Sequence, residues 1–194
     1  MKKRIVLIGL ISVALTVLTS FSETYESSVA GNEILIAGTS NLHSWNMAVV
    51  ASNCVAEFDI EGLQLKSIRK VDFSCKTRDI KSNNNLMDRK TYEAIKADNH
   101  PEIRFTLTEG SVPVTDGRNF SGTLRGRLNV AGFSREVSVP FTGTLNANNT
   151  ILVKGSVDLK MTDFKIDPPT ALLGTLKTGD LVTVTFSLNL FNKS

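Results

Sequence analysis

The side chains that could do chemistry in this 194-residue chain are few, and they form no catalytic pattern. His43 and His100 are its two histidines. Acyl transfer needs a nucleophile beside a base that a third group orients, and no Gly-x-Ser-x-Gly turn is present. A metal site needs three or four converging ligands, which two separated histidines do not supply. Asp163, Asp167 and Asp180 flank one predicted loop, where capping is a simpler role than calcium binding. The sequence predicts no enzyme and no metal site.

The two cysteines, Cys54 and Cys75, each lie on the apolar side of a predicted strand. A hairpin that pairs Ala56 with Phe73 would set the two cysteines opposite each other, within reach of a disulfide. An exported chain could keep such a bond. A cross-strand disulfide is therefore one prediction, and two small buried thiols are the alternative.

His43 and the single tryptophan, Trp45, share one side of a predicted extended segment. Two interpretations stay open for them. The indole could plug one end of a hydrophobic core, with a hydrogen-bonded histidine beside it. Alternatively, both side chains could form part of the rim of a ligand cavity.

The elements that must position any site are strands, and they are clearest in residues 120–161. Apolar residues alternate there with polar ones, and the parity inverts at residues 131–134. Period-two alternation predicts an antiparallel meander with one buried face, and this face constrains the strand register. The predicted opposed pairs are Leu128 with Val137, Leu124 with Phe141, Leu145 with Ile151 and Val139 with Val157.

Four glycines, Gly122, Gly126, Gly143 and Gly155, lie on the same face as the apolar residues of this meander. A glycine within a strand usually marks a bulge, a bend or the close approach of another group. The four glycines predict strong curvature of a barrel wall, an interior left partly empty for a guest, or both.

The rest of the chain adds strands and one helix. Residues 23–32 are polar and are predicted to be a flexible lead-in, and residues 162–179 are predicted to be a loop. The further predicted strands are residues 33–37, 47–60, 68–77, 102–109 and 181–191, and the predicted amphipathic helix is residues 86–97. About eight antiparallel strands with one short helix predict an all-β, up-and-down barrel. A two-sheet sandwich is the alternative.

The first 22 residues have the pattern of a secretory signal peptide. Residues 1–4 are cationic, residues 5–18 are apolar, and small residues surround Phe21. An uncleaved anchor helix is the alternative. Three of the 22 basic residues lie in this segment, which leaves 19 basic against 19 acidic residues. We expect a signal peptide, residues 1–22, followed by one barrel domain, residues 23–194, that is periplasmic or secreted and binds no nucleic acid.

Five motifs follow one another along the chain in a fixed order. They are Gly38-Thr39-Ser40 with Leu42-His43-x-Trp45, Pro101-x-Ile103-x-Phe105, Leu128-x-Val130-x-Gly132-x-Ser134-x-x-Val137, Met161-x-Asp163-Phe164-x-Ile166-x-Pro168-Pro169, and Leu176-Lys177-x-Gly179-Asp180-x-Val182. Through this set the chain resembles the YceI-like family of exported lipid-binding proteins over about residues 33–191. The resemblance implies a lipocalin-like barrel that holds a long isoprenoid chain, such as a polyprenyl or quinone tail, and it implies no catalytic residues.

Apolar residues on the buried face would line the lumen of such a barrel. The predicted lumen residues are Phe58, Phe73, Phe105, Leu124, Gly126, Leu128, Val139, Phe141, Val157, Phe186 and Leu188. The predicted mouth residues are His43, Trp45, Leu172, Leu173 and Leu176. An isoprenoid tail gains about 25 cal/mol for each Å² of apolar surface that leaves water.

These residues predict an exported carrier for a long-chain apolar ligand. A structural or protein-interaction barrel, filled by its own side chains, is the alternative. The expected partner is an apolar small molecule or lipid. No cofactor apart from a bound isoprenoid or quinone-type lipid is expected, and no membrane span is expected once the signal is cleaved. The oligomeric state stays open.

Overall fold

A computed structural model describes residues 22–27 and 31–193 of the chain, so all but the last residue of the predicted signal peptide lie outside the described part. Within that part the chain forms thirteen strands and one α-helix, α1 (Asn85–Ala94). The strands are β1 (Ser22–Ser27), β2 (Glu33–Ser40), β3 (Ser44–Val49), β4 (Asn53–Glu61), β5 (Gln64–Lys76), β6 (Ile80–Lys81), β7 (Glu102–Leu107), β8 (Val114–Asp116), β9 (Asn119–Val130), β10 (Phe133–Leu145), β11 (Thr150–Lys160), β12 (Thr170–Ala171) and β13 (Leu176–Asn192).

Eight strands close into an antiparallel barrel in the order β1, β4, β5, β7, β9, β10, β11 and β13. The ring closes where β13 pairs back to β1, with Tyr25 opposite Asn192 and Ser27 opposite Leu190. Closure leaves no long unpaired edge along the ring, which protects the sheet from pairing with other chains. The predicted all-β barrel with one short helix is confirmed.

Three further strands extend the wall at one end of the barrel. β2 pairs with the first part of β13, β3 pairs with β2, and β6 pairs with β3. Helix α1 lies against this extension, where the Thr91 hydroxyl is 3.3 Å from the Met47 sulfur and the Tyr92 hydroxyl donates to the Ile80 carbonyl at 2.8 Å. The extension and α1 therefore shape this end of the barrel.

The predicted flexible lead-in at residues 23–32 is wrong in its first part. Residues 22–27 form β1, which hydrogen-bonds to β4 on one side and β13 on the other. Tyr25 is fully buried, and its ring contacts the Phe58 ring edge-on with centroids 5.3 Å apart. Backbone pairing on both sides and one buried aromatic ring order a segment that is otherwise polar.

Two other predicted boundaries differ from the structure. The extended segment predicted at residues 47–60 is two strands, β3 and β4, which a turn separates. The predicted loop at residues 162–179 contains β12 and the start of β13, which pair Thr170 with Lys177. Short strands of this kind lack the repeated alternation that reveals longer ones.

The β9–β10 hairpin keeps the predicted buried face but not the predicted register. Ala131 and Gly132 have positive φ angles of 51° and 81°, so the turn has two residues rather than four. Leu124 consequently lies opposite Val139, two residues from its predicted partner. A shift of two residues leaves every side chain on its face.

The β10–β11 hairpin has the predicted register. Leu145 lies opposite Ile151 as predicted, and the ladder ends at the pair of Phe141 and Gly155. The predicted pair of Val139 and Val157 therefore lies just beyond the last paired residues.

Helix α1 begins after Asn84, whose Oδ1 accepts hydrogen bonds from the amides of Leu86 and Met87 at 2.9 and 3.1 Å. It ends three residues before the predicted boundary, and Lys96 then adopts a left-handed conformation. The described residues contain no helix with the length and apolar character that a membrane crossing requires.

Candidate functional site

The barrel encloses a cavity of about 530 Å³. Apolar side chains from the barrel strands, from β2 and β3, and from one face of α1 line it. That helix face carries Met87, Thr91, Ala94 and Ile95. Small-molecule sites typically measure about 300–1,000 Å³ and are mostly apolar. The cavity therefore has the size and character of a ligand site.

One end of the cavity is closed by packed side chains. Tyr25, Leu145 and Ile151 are almost fully buried there. Burial, together with the neighbouring Glu23 carboxylate, raises the pKa of Tyr25 to about 12. The Tyr25 hydroxyl donates to that carboxylate at 3.1 Å. Among the described residues, these packed side chains therefore close this end of the barrel.

The opposite end is open and polar, and we call it the mouth. Residues 40–45, 84–90 and 170–178 surround it, together with the end of β11. The hydroxyl, amide, imidazole and ammonium groups that line the cavity come from these elements and α1. They belong to Ser40, His43, Asn84, Lys90, Thr91, Lys160, Thr170 and Thr178. In the described part of the chain, the site is thus an apolar chamber with a polar entrance.

Ten of the eleven predicted lumen residues line this cavity. They are Phe58, Phe73, Phe105, Leu124, Leu128, Val139, Phe141, Val157, Phe186 and Leu188. Their contact with a ligand stays a prediction. The parity of the strands placed them correctly, because side chains of one parity share one face whatever the register.

The structure corrects the role predicted for Gly126, which does not line the cavity. The Phe105 ring lies where a side chain of Gly126 would begin, and the Thr106 carbonyl oxygen would be 2.7 Å from the added Cβ. Other glycines of this face lie under rings from adjacent strands in the same way. The pairs are Phe120 over Gly143 and Phe186 over Gly155. These glycines make room for phenyl rings rather than leaving empty space for a guest.

Three of the predicted mouth residues, His43, Trp45 and Leu176, line the cavity. The half-buried Trp45 ring covers Gly38, its partner in the β2–β3 ladder, and the indole Nε1 donates to the Thr39 carbonyl at 3.1 Å. Trp45 therefore combines the two predicted roles, because it is packed in place and also faces the cavity.

The other two predicted mouth residues lie in a short turn between β12 and β13. The prediction that Leu173 lines the cavity is wrong. Leu173 is fully exposed at the tip of this turn, with a φ angle of 55°, and it does not face the cavity. The side chain of Leu172 lies outside the described part of the structure.

Two cations at the mouth were not predicted. Lys90 lies three residues after Met87 on the inner face of α1, so helical periodicity could have revealed it. Lys160 is the last residue of β11, and the alternation of the strand assigns its side chain to the solvent face. It nevertheless lines the mouth, so alternation alone does not predict its position. Lys90 also pairs with Glu93 at 2.9 Å. Among the described residues, no aspartate or glutamate lines the cavity.

The predicted disulfide is not formed, and both cysteines are free and buried. Cys54 lies opposite Phe73, and Cys75 lies opposite Ile103 on the other neighbouring strand. The register of β4 and β5 differs by two residues from the predicted one, so the cysteines are not cross-strand partners. Both thiols line the cavity.

The two thiols should react slowly with alkylating reagents. Burial raises the pKa of both Cys54 and Cys75 to about 12, which lowers the thiolate fraction at pH 8. We expect iodoacetamide to label the native protein at least about 100-fold more slowly than the guanidinium-unfolded chain. Peptide mass spectrometry of both samples measures the rates. Labelling of either cysteine in the native protein as fast as in the unfolded chain would contradict the buried placement.

In the part of the chain that is described, no group of three or more His, Cys, Asp or Glu side chains could hold a metal ion. Of the three loop aspartates, Asp180 accepts hydrogen bonds from the amide and hydroxyl of Thr162 at 2.9 and 2.7 Å. These bonds hold the pKa of Asp180 below its usual value. This carboxylate therefore ties the turn after β11 to β13.

Comparison with known proteins agrees with this fold. Residues 26–190 match the family model of the YceI-like domain. A search of curated proteins gave no match. BcnA of Burkholderia cenocepacia is 15% identical with a TM-score of 0.65, and the match covers 84% of this chain and 98% of that one.

Two other solved structures are similar. A polyisoprenoid binding domain from Saccharophagus degradans, implicated in plant cell wall breakdown, is 10% identical with a TM-score of 0.68 and covers 87% of this chain and 98% of its own. The YceI protein of Campylobacter jejuni is 16% identical with a TM-score of 0.57, and the match covers 100% of this chain and 99% of that one. At these identities the likeness shows the fold alone.

Proposed function

The chain belongs to the YceI-like domain family, and from that premise we propose that it binds one long-chain apolar ligand in the barrel lumen. The observation that carries the proposal is the apolar cavity of about 530 Å³, whose polar lining residues gather at the mouth and on α1. An isoprenoid or quinone-type tail suits a chamber of this kind. The description of the Saccharophagus degradans domain as polyisoprenoid binding supports that chemical class.

The shape of the cavity implies an orientation for the ligand. The closed end around Ile151 suits only the tail, because the hydroxyl, amide, imidazole and ammonium groups that line the cavity in the described part of the chain belong to the mouth and α1. A polar head group would stay at the mouth, within reach of His43, Lys90 and Lys160. The tail supplies the affinity by leaving water, at about 25 cal/mol for each Å² of apolar surface.

The cavity also supports binding over the alternatives. A barrel that served only as a structural or interaction module would fill its interior with its own side chains, whereas this interior retains about 530 Å³. Catalysis would need a cluster of polar groups deep in the lumen. The polar side chains that line the cavity belong to the mouth and α1, so we propose binding rather than an enzymatic reaction.

We further propose that the protein is exported and acts in the periplasm or outside the cell. The cationic and apolar pattern of residues 1–22 supports this location. The intact mass of protein isolated from its native host tests it directly. A mass that lacks residues 1–22 is expected, and a cytoplasmic protein of full length would contradict export.

Retinol, a fluorescent isoprenoid alcohol, provides a binding test. Trp45 is the single tryptophan and lines the mouth, so energy transfer from its indole should report on the ligand. We expect retinol to quench the fluorescence of delipidated protein saturably, with one equivalent bound. A linear, unsaturable loss of signal would contradict a discrete site. Free tryptophan at the same absorbance serves as the control for inner-filter loss.

A further inference from the structure

Exposed leucines surround the mouth. Leu42 is 64% exposed, Leu86 is 43% exposed, and Leu173 is fully exposed. Each belongs to a different one of the three segments that form the mouth, and residues on those segments line the cavity. A ring of apolar side chains around the entrance of an apolar chamber is a candidate interaction surface.

Two of the leucine-bearing segments are held together by one side chain. Asn41 donates from Nδ2 to the Thr175 carbonyl at 2.8 Å and accepts at Oδ1 from the Lys177 amide at 2.9 Å. Its own amide donates to the Lys177 carbonyl at 3.0 Å. Leu42 and Leu173 therefore project from loops of fixed relative position.

The charges on these segments are mainly positive. Arg89 and Lys177 are exposed cations. Asp88, the acidic residue among residues 84–90, is buried and accepts hydrogen bonds from the Ser82 amide and hydroxyl at 2.7 and 2.6 Å. Lys90 is neutralised in part by Glu93. Apolar tips with cations beside them are the combination that binds anionic lipid surfaces.

We propose that the mouth docks on the surface of an anionic lipid bilayer, with the three leucine side chains inserted among the head groups. The occupant is a bilayer rather than a protein because the surface encircles the entrance of a chamber that suits an apolar chain. Docking there would let the chain pass between bilayer and lumen without crossing water. The docking rests in part on the proposed function, since it assigns the source of the ligand.

Cosedimentation with lipid vesicles tests the docking. The probes are vesicles of phosphatidylcholine and phosphatidylglycerol in equal amounts, and vesicles of phosphatidylcholine alone. The test variant is Leu42→Ser with Leu173→Ser, because neither side chain lines the cavity and retinol binding should be retained. The matched control is Val112→Ser with Val114→Ser, since these valines are 81% and 76% exposed near Glu109 and Asp116 and neither lines the cavity.

We expect the unchanged protein and the valine variant to bind the anionic vesicles equally, and the leucine variant to bind at least tenfold more weakly. Binding to the neutral vesicles should be weaker for all three. Equal vesicle binding by the leucine variant, or no vesicle binding by the unchanged protein, would overturn the docking. A leucine variant that differed from the unchanged protein only in self-association, measured by sedimentation velocity without lipid, would also overturn the docking. The surface would then join two copies of the chain.

The two proposals fail in different ways. Saturable retinol binding without vesicle binding overturns the docking and leaves the lumen as a ligand site. Vesicle binding without retinol binding overturns the lumen proposal and leaves the docking surface.

Discussion

Replacing Val157 by tryptophan is expected to weaken retinol binding at least tenfold while the barrel stays folded. Val157 is half-buried on β11, lies opposite Val184 of β13, and lines the cavity between the mouth and the closed end. The added indole would extend into the lumen and occupy the path of the ligand. Overpacking typically costs about 1–3 kcal/mol, and we expect the low end of that range because the new side chain enters open space.

The matched control for this variant is Ser156→Trp on the same strand, because Ser156 is exposed on the outer face of the barrel. The fluorescence anisotropy of retinol measures binding without interference from the added tryptophan, and thermal unfolding measures stability. We expect the control to bind like the unchanged protein. Full retinol binding by Val157→Trp would show that the ligand does not occupy this cavity.

Gly126→Ala is expected to destabilise the barrel by about 1–3 kcal/mol, and Gly126→Leu by more. Even the methyl group of alanine would collide with the Phe105 ring and lie 2.7 Å from the Thr106 carbonyl oxygen. The ring could move only into the lumen, whereas the carbonyl belongs to the sheet and cannot move freely. Urea unfolding at equilibrium measures the loss.

Gly110→Ala is the control for the Gly126 variants, because an added Cβ there meets only the Ile68 carbonyl oxygen at 3.4 Å and φ is not positive. We expect its free energy of unfolding to stay within about 0.5 kcal/mol of the unchanged value. Replacing the Phe105 ring by the smaller leucine side chain, in Phe105→Leu, should recover part of the stability lost in Gly126→Ala. A Gly126→Leu protein of full stability that had lost only its ligand would instead show that Gly126 faces empty lumen.

Alternation along the strands was enough to predict the barrel and most of its lining. Leu124 and Val139 belong to the interior because of their parity, and parity does not depend on which residues are opposed. The register was harder to predict, since it depends on the length of each turn. The left-handed pair at Ala131 and Gly132 makes a two-residue turn, and alanine gave no sign of that conformation.

The glycines show why the sequence could not predict the shape of the interior. Gly126 and Phe105 lie on different strands, so their contact depends on a register that the sequence did not fix. A glycine beneath a ring and a glycine beneath empty space have the same sequence pattern. Leu173 illustrates the same limit, because an apolar residue without periodicity can face either solvent or a cavity.

The most direct test of the lumen proposal is the organic extract of protein purified from its native host, analysed by mass spectrometry. A protein that carries a ligand in the lumen should yield about one equivalent of a long-chain apolar molecule, and Val157→Trp purified in the same way should yield at least tenfold less. An extract of the unchanged protein that contains no such molecule, or equal amounts from both proteins, would contradict a ligand held in this cavity.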